Sequence, residues 1–344
     1  MATPFLTCTA TQIQDFLKEA GFPAFRYKQV VSWVYGKQVS SYDDMTNLPK
    51  AMREELSRAL PLIPLEMADR RISKDGTRKY LFRLHDGNLV ETVALPSLSG
   101  KDRLTVCFST QVGCGMGCVF CATGHEGFTR NLGTGEIAQQ ILLAQQDMGM
   151  RVSNLVGMGQ GEPFLNFQAV ADALKLLNDP KGIAIGARHI TVSTCGVIPG
   201  IAKFKELPQQ FTMAVSLHSA IQGKRNEIMP KAATWPLSQL KKALQDYIAA
   251  TNRRVTFEYL LIKGVNDGKE DLQALASYCS GLLCHINLLP MNSIASSPFQ
   301  PTAKKTLAYW VDYLESAGIE TTIRKSRGAD IDGACGQLKN SFGA

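Results

Sequence analysis

Three cysteines stand close together in the run Cys114-Gly-Met-Gly-Cys118-Val-Phe-Cys121. Thiolates are soft ligands that suit zinc or an iron–sulfur cluster. A four-thiolate zinc site normally has a second close pair of cysteines, and no such pair follows here. A [4Fe–4S] cluster normally takes four cysteines, so three leave one iron open to another molecule. The spacing therefore favours a [4Fe–4S] cluster on Cys114, Cys118 and Cys121 over zinc or buried structural thiols.

A glycine-rich stretch, Gly157-Met-Gly-Gln-Gly-Glu-Pro163, follows a predicted strand at residues 154–158. Glycine lets the backbone approach a ligand closely. The carboxylate of Glu162 accepts hydrogen bonds, so it suits a ligand that carries an ammonium group. An ordinary tight turn between a strand and a helix is the alternative. We expect Gly161 and Glu162 to contact a bound ligand.

Small polar residues follow three other predicted strands. Ser193 follows one, Ser216-Leu217-His218 follow the next, and Asn292 follows a later one. Hydroxyl, imidazole and amide groups at these places suit the ribose and carboxylate of a ligand, although a single histidine is more often structural. Cys195 comes two residues after Ser193 and either lines the same pocket or packs in the core. We expect the core position.

Strands and helices alternate from about residue 102 to residue 324, which predicts βα units around a parallel sheet. The expected fold class is α/β, with a partial TIM-like barrel of six βα units, (βα)6. Ligands of parallel barrels bind at the C-terminal ends of the strands. The cysteine triplet follows the first predicted strand, at residues 104–109, and the polar residues follow later ones. One site at that end of the barrel is therefore expected.

Two segments precede the barrel. Residues 1–64 have helical periodicity and scattered basic side chains, so they form either a small RNA-binding domain or a plain helical cap. Residues 65–100 have turn signals between strand-like runs, which predicts a β-meander extension of the main sheet. Its basic side chains either face solvent or contact an RNA backbone. The barrel is expected over residues 101–330, and a C-terminal catalytic loop and tail over residues 331–344.

The composition indicates a cytoplasmic protein. Of the 344 residues, 45% are hydrophobic, but no apolar run reaches the roughly 18 residues of a membrane span. The N-terminus lacks the basic and apolar regions of a signal peptide. Nine cysteines, three of them grouped, favour a reducing compartment over a disulfide framework. The net charge of +7 is compatible with a nucleic-acid partner. We expect a monomer that does not bind membranes.

Two further cysteines stand near opposite ends of the barrel sequence. Cys107 lies on the first predicted strand, and Cys335 lies in a glycine-rich loop beyond the last one. In a parallel barrel both can face the same opening. Two thiols that converge on a substrate suggest covalent catalysis with a resolving thiol. Considered separately, Cys107 is an ordinary core thiol and Cys335 is an ordinary tail residue.

Together these motifs resemble the RlmN/Cfr family of radical S-adenosylmethionine (SAM) RNA methyltransferases, over about residues 25–338. The resemblance rests on Cys107, the cysteine triplet, Gly161-Glu162-Pro163, Ser216-Leu217-His218, Arg324-Lys-Ser-Arg-Gly328 and Asp332-Gly-Ala-Cys335-Gly-Gln-Leu338. It implies a [4Fe–4S] cluster on the triplet, whose open iron binds SAM. It also implies that SAM contacts Gly161, Glu162, Ser193, Ser216, Leu217, His218 and Asn292. Gln160 looks like an insertion relative to the commoner form of the glycine motif.

The resemblance implies methylation of an adenine carbon in 23S ribosomal RNA at the peptidyl-transferase centre, and RlmN members also modify an adenine beside the tRNA anticodon. That carbon is not nucleophilic, so two SAM molecules are used. The first methylates Cys335, and the second is cleaved at the cluster to a radical that takes hydrogen from the new methyl group. The methylene radical adds to the ring and Glu91 removes the ring proton. Cys107 then attacks the Cys335 sulfur, which releases methylated RNA and leaves a disulfide for a reductant.

Three alternatives stay open. Methylation at C8 rather than C2 is the first, and the chain length and the N-terminal segment favour C2. Another radical SAM enzyme, such as a glycyl-radical activase, is the second, and it has no need of Cys107 and Cys335 as a pair. A zinc-stapled RNA-binding module without catalysis is the third. As partners, the resemblance implies 23S rRNA, tRNA and an electron donor such as flavodoxin or ferredoxin.

Overall fold

The structure is a computed structural model that describes residues 3–99, 102–180, 183–292 and 298–338. Residues 339–344 of the expected tail lie outside the described residues. The α-helices of the described part are α1 (Ala10–Glu19), α2 (Arg26–Val31), α3 (Lys50–Ala59), α4 (Ala122–Glu126), α5 (Thr134–Met148), α6 (Phe167–Asn178), α7 (Ile198–Lys205), α8 (Gln222–Ile228), α9 (Leu237–Thr251), α10 (Lys269–Cys279) and α11 (Lys304–Ser316). The strands are β1 (Glu66–Ile72), β2 (Arg78–Arg83), β3 (Leu89–Pro96), β4 (Leu104–Cys107), β5 (Gln111–Gly113), β6 (Phe128–Asn131), β7 (Val152–Gly157), β8 (Ile190–Thr194), β9 (Thr212–Ser216), β10 (Val255–Leu261), β11 (Cys284–Pro290) and β12 (Thr321–Ile323).

Ten strands form one sheet in the order β1-β2-β3-β4-β7-β8-β9-β10-β11-β12. The strands from β1 to β4 pair antiparallel, whereas every pairing from β4 to β12 is parallel. Met213, Ala214 and Val215 of β9 have no exposed surface, because helices cover one face and the barrel interior covers the other. The predicted α/β fold with a partial barrel is confirmed, and β12 adds a further parallel strand after the six βα units.

The parallel arrangement brings the ends of the strands to one edge. Cys107 ends β4, Gly157 ends β7, Thr194 ends β8 and Ser216 ends β9. The predicted ligand-binding residues lie at or just beyond the ends of these strands and of β11, so they share this edge. No helix among the described residues has the length and hydropathy to cross a bilayer.

Several short elements were not predicted from the sequence. The cysteine triplet lies between β5 and β6, a two-stranded hairpin, and runs into the short helix α4. Within the N-terminal helical segment, α2 passes directly into a π-helical turn at Ser32–Gly36. Helix α8 also had no predicted counterpart. Elements of three to seven residues carry too few apolar positions for a period to be recognised.

The N-terminal helical segment packs closely on the start of α5. A Cβ atom added to Gly133 would lie 2.5 Å from the carbonyl oxygen of Leu6 and would overlap the backbone of Thr7. A Cβ atom on Gly135 would lie 2.6 Å from the Tyr35 hydroxyl. The two glycines therefore allow the N-terminal segment and the start of α5 to pack with no Cβ atom between them.

Gly133→Ala should therefore destabilise the protein by forcing the N-terminal segment away from α5. Overpacking of this kind costs about 1–3 kcal/mol, which a urea titration followed by circular dichroism measures. Gly223→Ala is the matched control, because Gly223 is exposed within α8 and nothing lies within 4 Å of an added Cβ. Equal stability of the two variants would show that the contact with Leu6 and Thr7 relaxes freely.

The segment after β12 is held by hydrogen bonds to the turn between β1 and β2. The Asp75 carboxylate accepts from Arg327 Nε at 3.3 Å and from the Gly328 N–H at 3.2 Å. Asp330 accepts from the Ser73 hydroxyl at 2.6 Å. Although burial acts to raise it, hydrogen bonds from Thr77, Arg327 and Gly328 hold the pKa of Asp75 well below its usual range. The β-meander thus anchors the C-terminal segment.

Asp75→Asn should loosen residues 327–338 at neutral pH. Because the folded-state pKa of Asp75 is depressed, its stabilising effect is present above its unfolded value of about 3.9 and is lost as the pH falls below it. The amide removes the charge without acid and should cost about 1.5–3 kcal/mol of local stability. Hydrogen–deuterium exchange of peptides from this segment measures the change. Asp312→Asn, on the exposed side of α11, is the control, and unchanged exchange in Asp75→Asn would contradict the anchoring role.

Candidate active site

Two cavities meet at the edge where the parallel strands end. The small cavity has a volume of about 160 Å³ and the large cavity about 550 Å³. They share several wall residues, among them Met158, Glu258, Arg324 and Cys335. The predicted residues on the small cavity are Cys114, Cys118, Cys121, Gly161, Glu162, Ser193, Ser216, His218 and Asn292. The fold therefore brings together residues from five separate loops.

The loop that carries the cysteine triplet is shaped by its glycines and by the β5–β6 hairpin. Gly113 has a φ of +72°, and an added Cβ atom would overlap the carbonyl of Gly127. The N–H of Cys114 donates to that same carbonyl at 2.6 Å. Apolar side chains from the cysteine loop and from three other parts of the chain pack around the triplet: Met116, Phe120, Ile228, Met229, Ala232, Ile262 and Met291.

The triplet fits an iron–sulfur cluster by its donors and its surroundings. Burial raises the pKa of Cys114 to about 12 and also raises the pKa of Cys121, so a metal must displace the protons. The Met116 N–H donates to the Cys114 sulfur, and the N–H groups of Gly124 and Thr123 donate to the Cys121 sulfur. Such bonds stabilise thiolates on a cluster. Within the described ranges, no group of three or more His, Cys, Asp or Glu side chains is arranged to hold a single metal ion.

Glu162 is a buried carboxylate on the wall of the small cavity. Its Oε1 accepts from the Phe164 N–H at 3.0 Å, and its Oε2 accepts from the Cys195 N–H at 2.6 Å. Burial raises the pKa of Glu162. A cationic group in the cavity would offset that desolvation, so the arrangement suits an ammonium ligand.

Gln160 ties the glycine motif to its neighbours. Its side-chain oxygen accepts from the Glu91 N–H at 3.0 Å, and its carbonyl accepts from the Thr110 N–H at 2.8 Å. Its own N–H donates to the Ser109 hydroxyl at 2.8 Å. The following residue, Gly161, has a φ of +101°, which only glycine adopts readily. Gln160 thus holds the glycine motif against β3 and the residues after β4.

His218 faces the small cavity as a neutral imidazole. Its Nδ1 accepts from the Leu260 N–H at 3.0 Å, so Nε2 carries the proton. Burial, with a contribution from Arg225, lowers the pKa of His218 to about 3. Its ring packs edge-on against Phe120, with ring centroids 4.7 Å apart. Next to it, the Ser193 and Ser216 hydroxyls lie 3.3 Å apart and present donors to the same space.

The large cavity brings Cys107 and Cys335 together. Burial raises the pKa of Cys107 to about 12, and the nearby Cys335 thiol acts in the same direction. Cys335 is exposed and lines both cavities, and its carbonyl accepts from the Asn292 amide at 3.2 Å. Arg324 lies beside both thiols, and its electrostatic interaction with Cys335 is the main reason that the pKa of its guanidinium is raised. The C-terminal sulfur therefore lies at the junction of the two cavities.

Two predicted site residues are not on the walls of these cavities. Glu91 is buried, and its carboxylate pairs with the Lys79 ammonium at 2.9 Å. It shares a face of β3 with Val93 and Leu95, which do line the large cavity. The Leu217 side chain is fully buried in the core, while its N–H donates to the Glu258 carbonyl at 3.1 Å. Both residues lie next to the site rather than on its surface.

Comparison with known proteins decides the family. Residues 4–61 match the ribosomal RNA large subunit methyltransferase N-terminal domain, and residues 108–277 match the radical SAM superfamily. A "Probable dual-specificity RNA methyltransferase RlmN" from Clostridium perfringens (strain 13 / Type A) is 43% identical over 338 residues, which are 98% of this chain and 96% of that protein. The chain belongs to the RlmN family.

Other members agree with this result. A protein of the same description from Clostridioides difficile (strain 630) is 43% identical over 335 residues, which are 97% of this chain and 96% of that protein. A solved structure, a radical SAM methyltransferase from Sphaerobacter thermophilus, has a TM-score of 0.89 at 40% identity and covers 98% of this chain and 100% of that one. As a radical SAM protein of the RlmN family, the chain is a methyltransferase whose family implies SAM and an iron–sulfur cluster.

The structure of this RlmN-family chain also reveals residues that the sequence analysis did not single out as site residues. Glu258 lines both cavities and accepts from the Asn287 amide at 2.9 Å, and Arg324 lies 3.8 Å from its other carboxylate oxygen. The sequence signal for Glu258 was a single acid inside the apolar strand β10. We expected Cys195 in the core, and this was wrong, because it lines the small cavity.

The His218 imidazole should stay neutral between pH 8 and pH 5, because its pKa is held near 3. Proton NMR of the cluster-free protein measures this, since its spectrum is free of paramagnetic broadening. The His218 signal is assigned by its loss in His218→Gln, and a histidine peptide added to the sample is the internal reference. A titration midpoint above pH 5 for His218 would mean that water fills the small cavity.

Proposed function

We propose that this chain methylates C2 of an adenine in 23S ribosomal RNA, and an adenine of tRNA, through a methylated Cys335. The observation that supports this most directly is that Cys335 lines both cavities. It faces the cysteine triplet and Glu162 on one side and Cys107 on the other. Ordinary radical SAM chemistry needs only the cysteine triplet and Glu162, so the pairing of Cys335 with Cys107 points to a covalent route.

The charges around the large cavity suit an RNA substrate. Arg103, Arg324, Lys325 and Arg327 line it, against the single carboxylate of Glu258 among the described lining residues. Arg103 and Lys325 are exposed, so their charges are available to phosphates. The relatives from Clostridium perfringens and Clostridioides difficile are named as RNA methyltransferases. We assign residues 1–64 as an RNA-binding accessory domain and residues 65–100 as the extension that holds the catalytic loop.

The residues of the chain have separate tasks. When bound, the [4Fe–4S] cluster supplies one electron for the cleavage of SAM to a radical. Cys114, Cys118 and Cys121 hold that cluster, and Glu162 binds the amino group of SAM. Two SAM molecules per turnover are required, because one donates the methyl group to Cys335 and the other is cleaved. The remaining cavity residues, Ser193, Ser216, His218 and Asn292, orient SAM by hydrogen bonds. Leu217 lies behind them, and its N–H bond to the Glu258 carbonyl holds the end of β9 in place.

The two reactive thiols act in sequence. Cys335 first accepts a methyl group on its sulfur and later links that carbon to the adenine ring. Glu91, a buried carboxylate on the cavity-facing side of β3, takes up the ring proton. Cys107 then attacks the Cys335 sulfur, so that an S–S bond forms while the bond from sulfur to the product carbon breaks. The product carbon keeps the electron pair of that bond and takes up a proton to become the methyl group. Arg324 lies beside both sulfurs and stabilises each as a thiolate when it reacts.

The remaining parts of the proposal concern the setting. The enzyme works as a cytoplasmic monomer, with an electron donor such as flavodoxin or ferredoxin. A cellular reductant returns the Cys107–Cys335 disulfide to thiols. C2 is favoured over C8 by the family to which the chain belongs. Mass spectrometry of digested ribosomal RNA from cells with and without the protein distinguishes the two carbons.

Cys335→Ala should abolish RNA methylation but leave reductive cleavage of SAM at least partly intact, because the cysteine triplet and Glu162 are unchanged. Cys107→Ala should instead accumulate a covalent protein–RNA adduct, because nothing attacks the Cys335 sulfur. Methylated nucleosides, 5′-deoxyadenosine and gel-shifted protein are measured in one anaerobic reaction with a 23S rRNA fragment.

Cys284→Ala is the matched control, since Cys284 begins β11 and lines neither cavity. It should methylate RNA at the wild-type rate and form no adduct. Loss of SAM cleavage together with methylation in Cys335→Ala would mean that the C-terminal thiol is structural. Absence of an adduct in an active preparation of Cys107→Ala would exclude the resolving role.

A further inference from the structure

A fourth thiol faces the small cavity beside the cysteine triplet. Cys195 follows β8 and lines this cavity with Cys114, Cys118 and Cys121. Its sulfur lies within hydrogen-bonding reach of the Cys118 sulfur and also interacts electrostatically with Cys114. The reaction described above has no use for this thiol.

The backbone of Cys195 is fixed on both sides. Its N–H donates to Glu162 Oε2 at 2.6 Å, and its carbonyl accepts from Arg225 Nη2 at 2.7 Å. Arg225 is itself fully buried and also binds the carbonyl of Leu217. The next residue, Gly196, has a φ of +94°, which turns the chain away from the cavity. The thiol can rotate about its own side-chain bonds but cannot leave the cavity.

Cys195 thus connects the two halves of the small cavity. On one side its sulfur contacts Cys118, which would hold the cluster. On the other side its N–H holds the carboxylate of Glu162, which would bind the amino group of SAM. Thiolates are the usual protein ligands of iron–sulfur clusters. With Cys195, four sulfur donors line one cavity. A cluster held by the triplet alone would leave one iron without a protein ligand, and that iron is free whenever SAM is absent.

We propose, on the basis of the proposed function, that Cys195 ligates the open iron of the cluster when SAM is absent and that SAM displaces it. On ligation the S–H bond breaks, an Fe–S bond forms and the proton passes to solvent, so no electron is transferred. When SAM displaces Cys195, the Fe–S bond breaks and the sulfur regains a proton. The ammonium group of SAM gives up a proton because its nitrogen would take the iron, so the protons balance. A fully ligated cluster offers no open iron to oxidants, so Cys195 protects the resting enzyme.

The test compares anaerobically reconstituted wild type, Cys195→Ala and Cys195→Ser, with Cys284→Ala as the control. Without SAM, the electron paramagnetic resonance spectrum of the reduced cluster should differ between wild type and both Cys195 variants, and with SAM the spectra should coincide. Iron release to a chelator without SAM should be about tenfold faster in Cys195→Ala than in wild type. SAM should bind the same variant about tenfold more tightly, because no ligand is displaced.

Identical SAM-free spectra and equal iron release in wild type and the Cys195 variants would overturn this inference. If Cys195→Ala does not fold, the comparison with Cys195→Ser decides the question, because serine keeps nearly the same volume. A wild type that binds no iron and sulfide would instead overturn the cluster of the proposed function. A wild type that binds the cluster and methylates RNA, with spectra equal to those of the variants, would leave the proposed function intact and reject the fourth ligand alone.

Discussion

Hydrogen bonds between the β1–β2 turn and the chain after β12 determine where the C-terminal thiol lies. Arg327 and Gly328 bind Asp75, Asp330 binds Ser73, and the carbonyl of Gly336 accepts from the Ala122 N–H at 2.8 Å. The barrel adds two further bonds, because the Asn292 amide donates to the Cys335 carbonyl and the Thr123 hydroxyl donates to the Leu338 carbonyl. Each bond is modest in free energy and exchangeable with water. The segment is therefore held in one place by bonds that can be broken and re-formed, as a group that serves two cavities requires.

The antiparallel extension explains why this anchoring is available. Strands β1 to β3 continue the sheet from β4, and their register places the β1–β2 turn beside Pro96, which pairs with Leu104 at the start of β4. Arg327 also donates to the carbonyl of Pro96, the last residue of β3. The extension thus forms one wall of the large cavity. The same sheet carries Glu91 and Lys79 as a buried ion pair next to that wall.

The electrostatics of the small cavity follow from burial. His218 is neutral, and the thiols of Cys114 and Cys121 hold their protons, because charge is costly in a cavity of low dielectric constant. Burial raises the pKa of Glu162 as well, although the N–H groups of Phe164 and Cys195 donate to its carboxylate. A cationic ligand beside Glu162 would offset the cost of burying its charge, which gives the site a preference for such a ligand.

The sequence by itself determined the alternation of strands and helices, the cysteine triplet, the glycine motif and the place of each polar residue at a strand end. These are local signals, since apolar periodicity and ligand spacing are both read over a few residues. Only the tertiary structure decided that Cys335 meets Cys107, that Gln160 binds the Glu91 backbone, and that Cys195 faces the triplet rather than the core. Such contacts join residues far apart in the chain, and their partners depend on how loops pack at the end of the barrel. No spacing along the sequence records that packing.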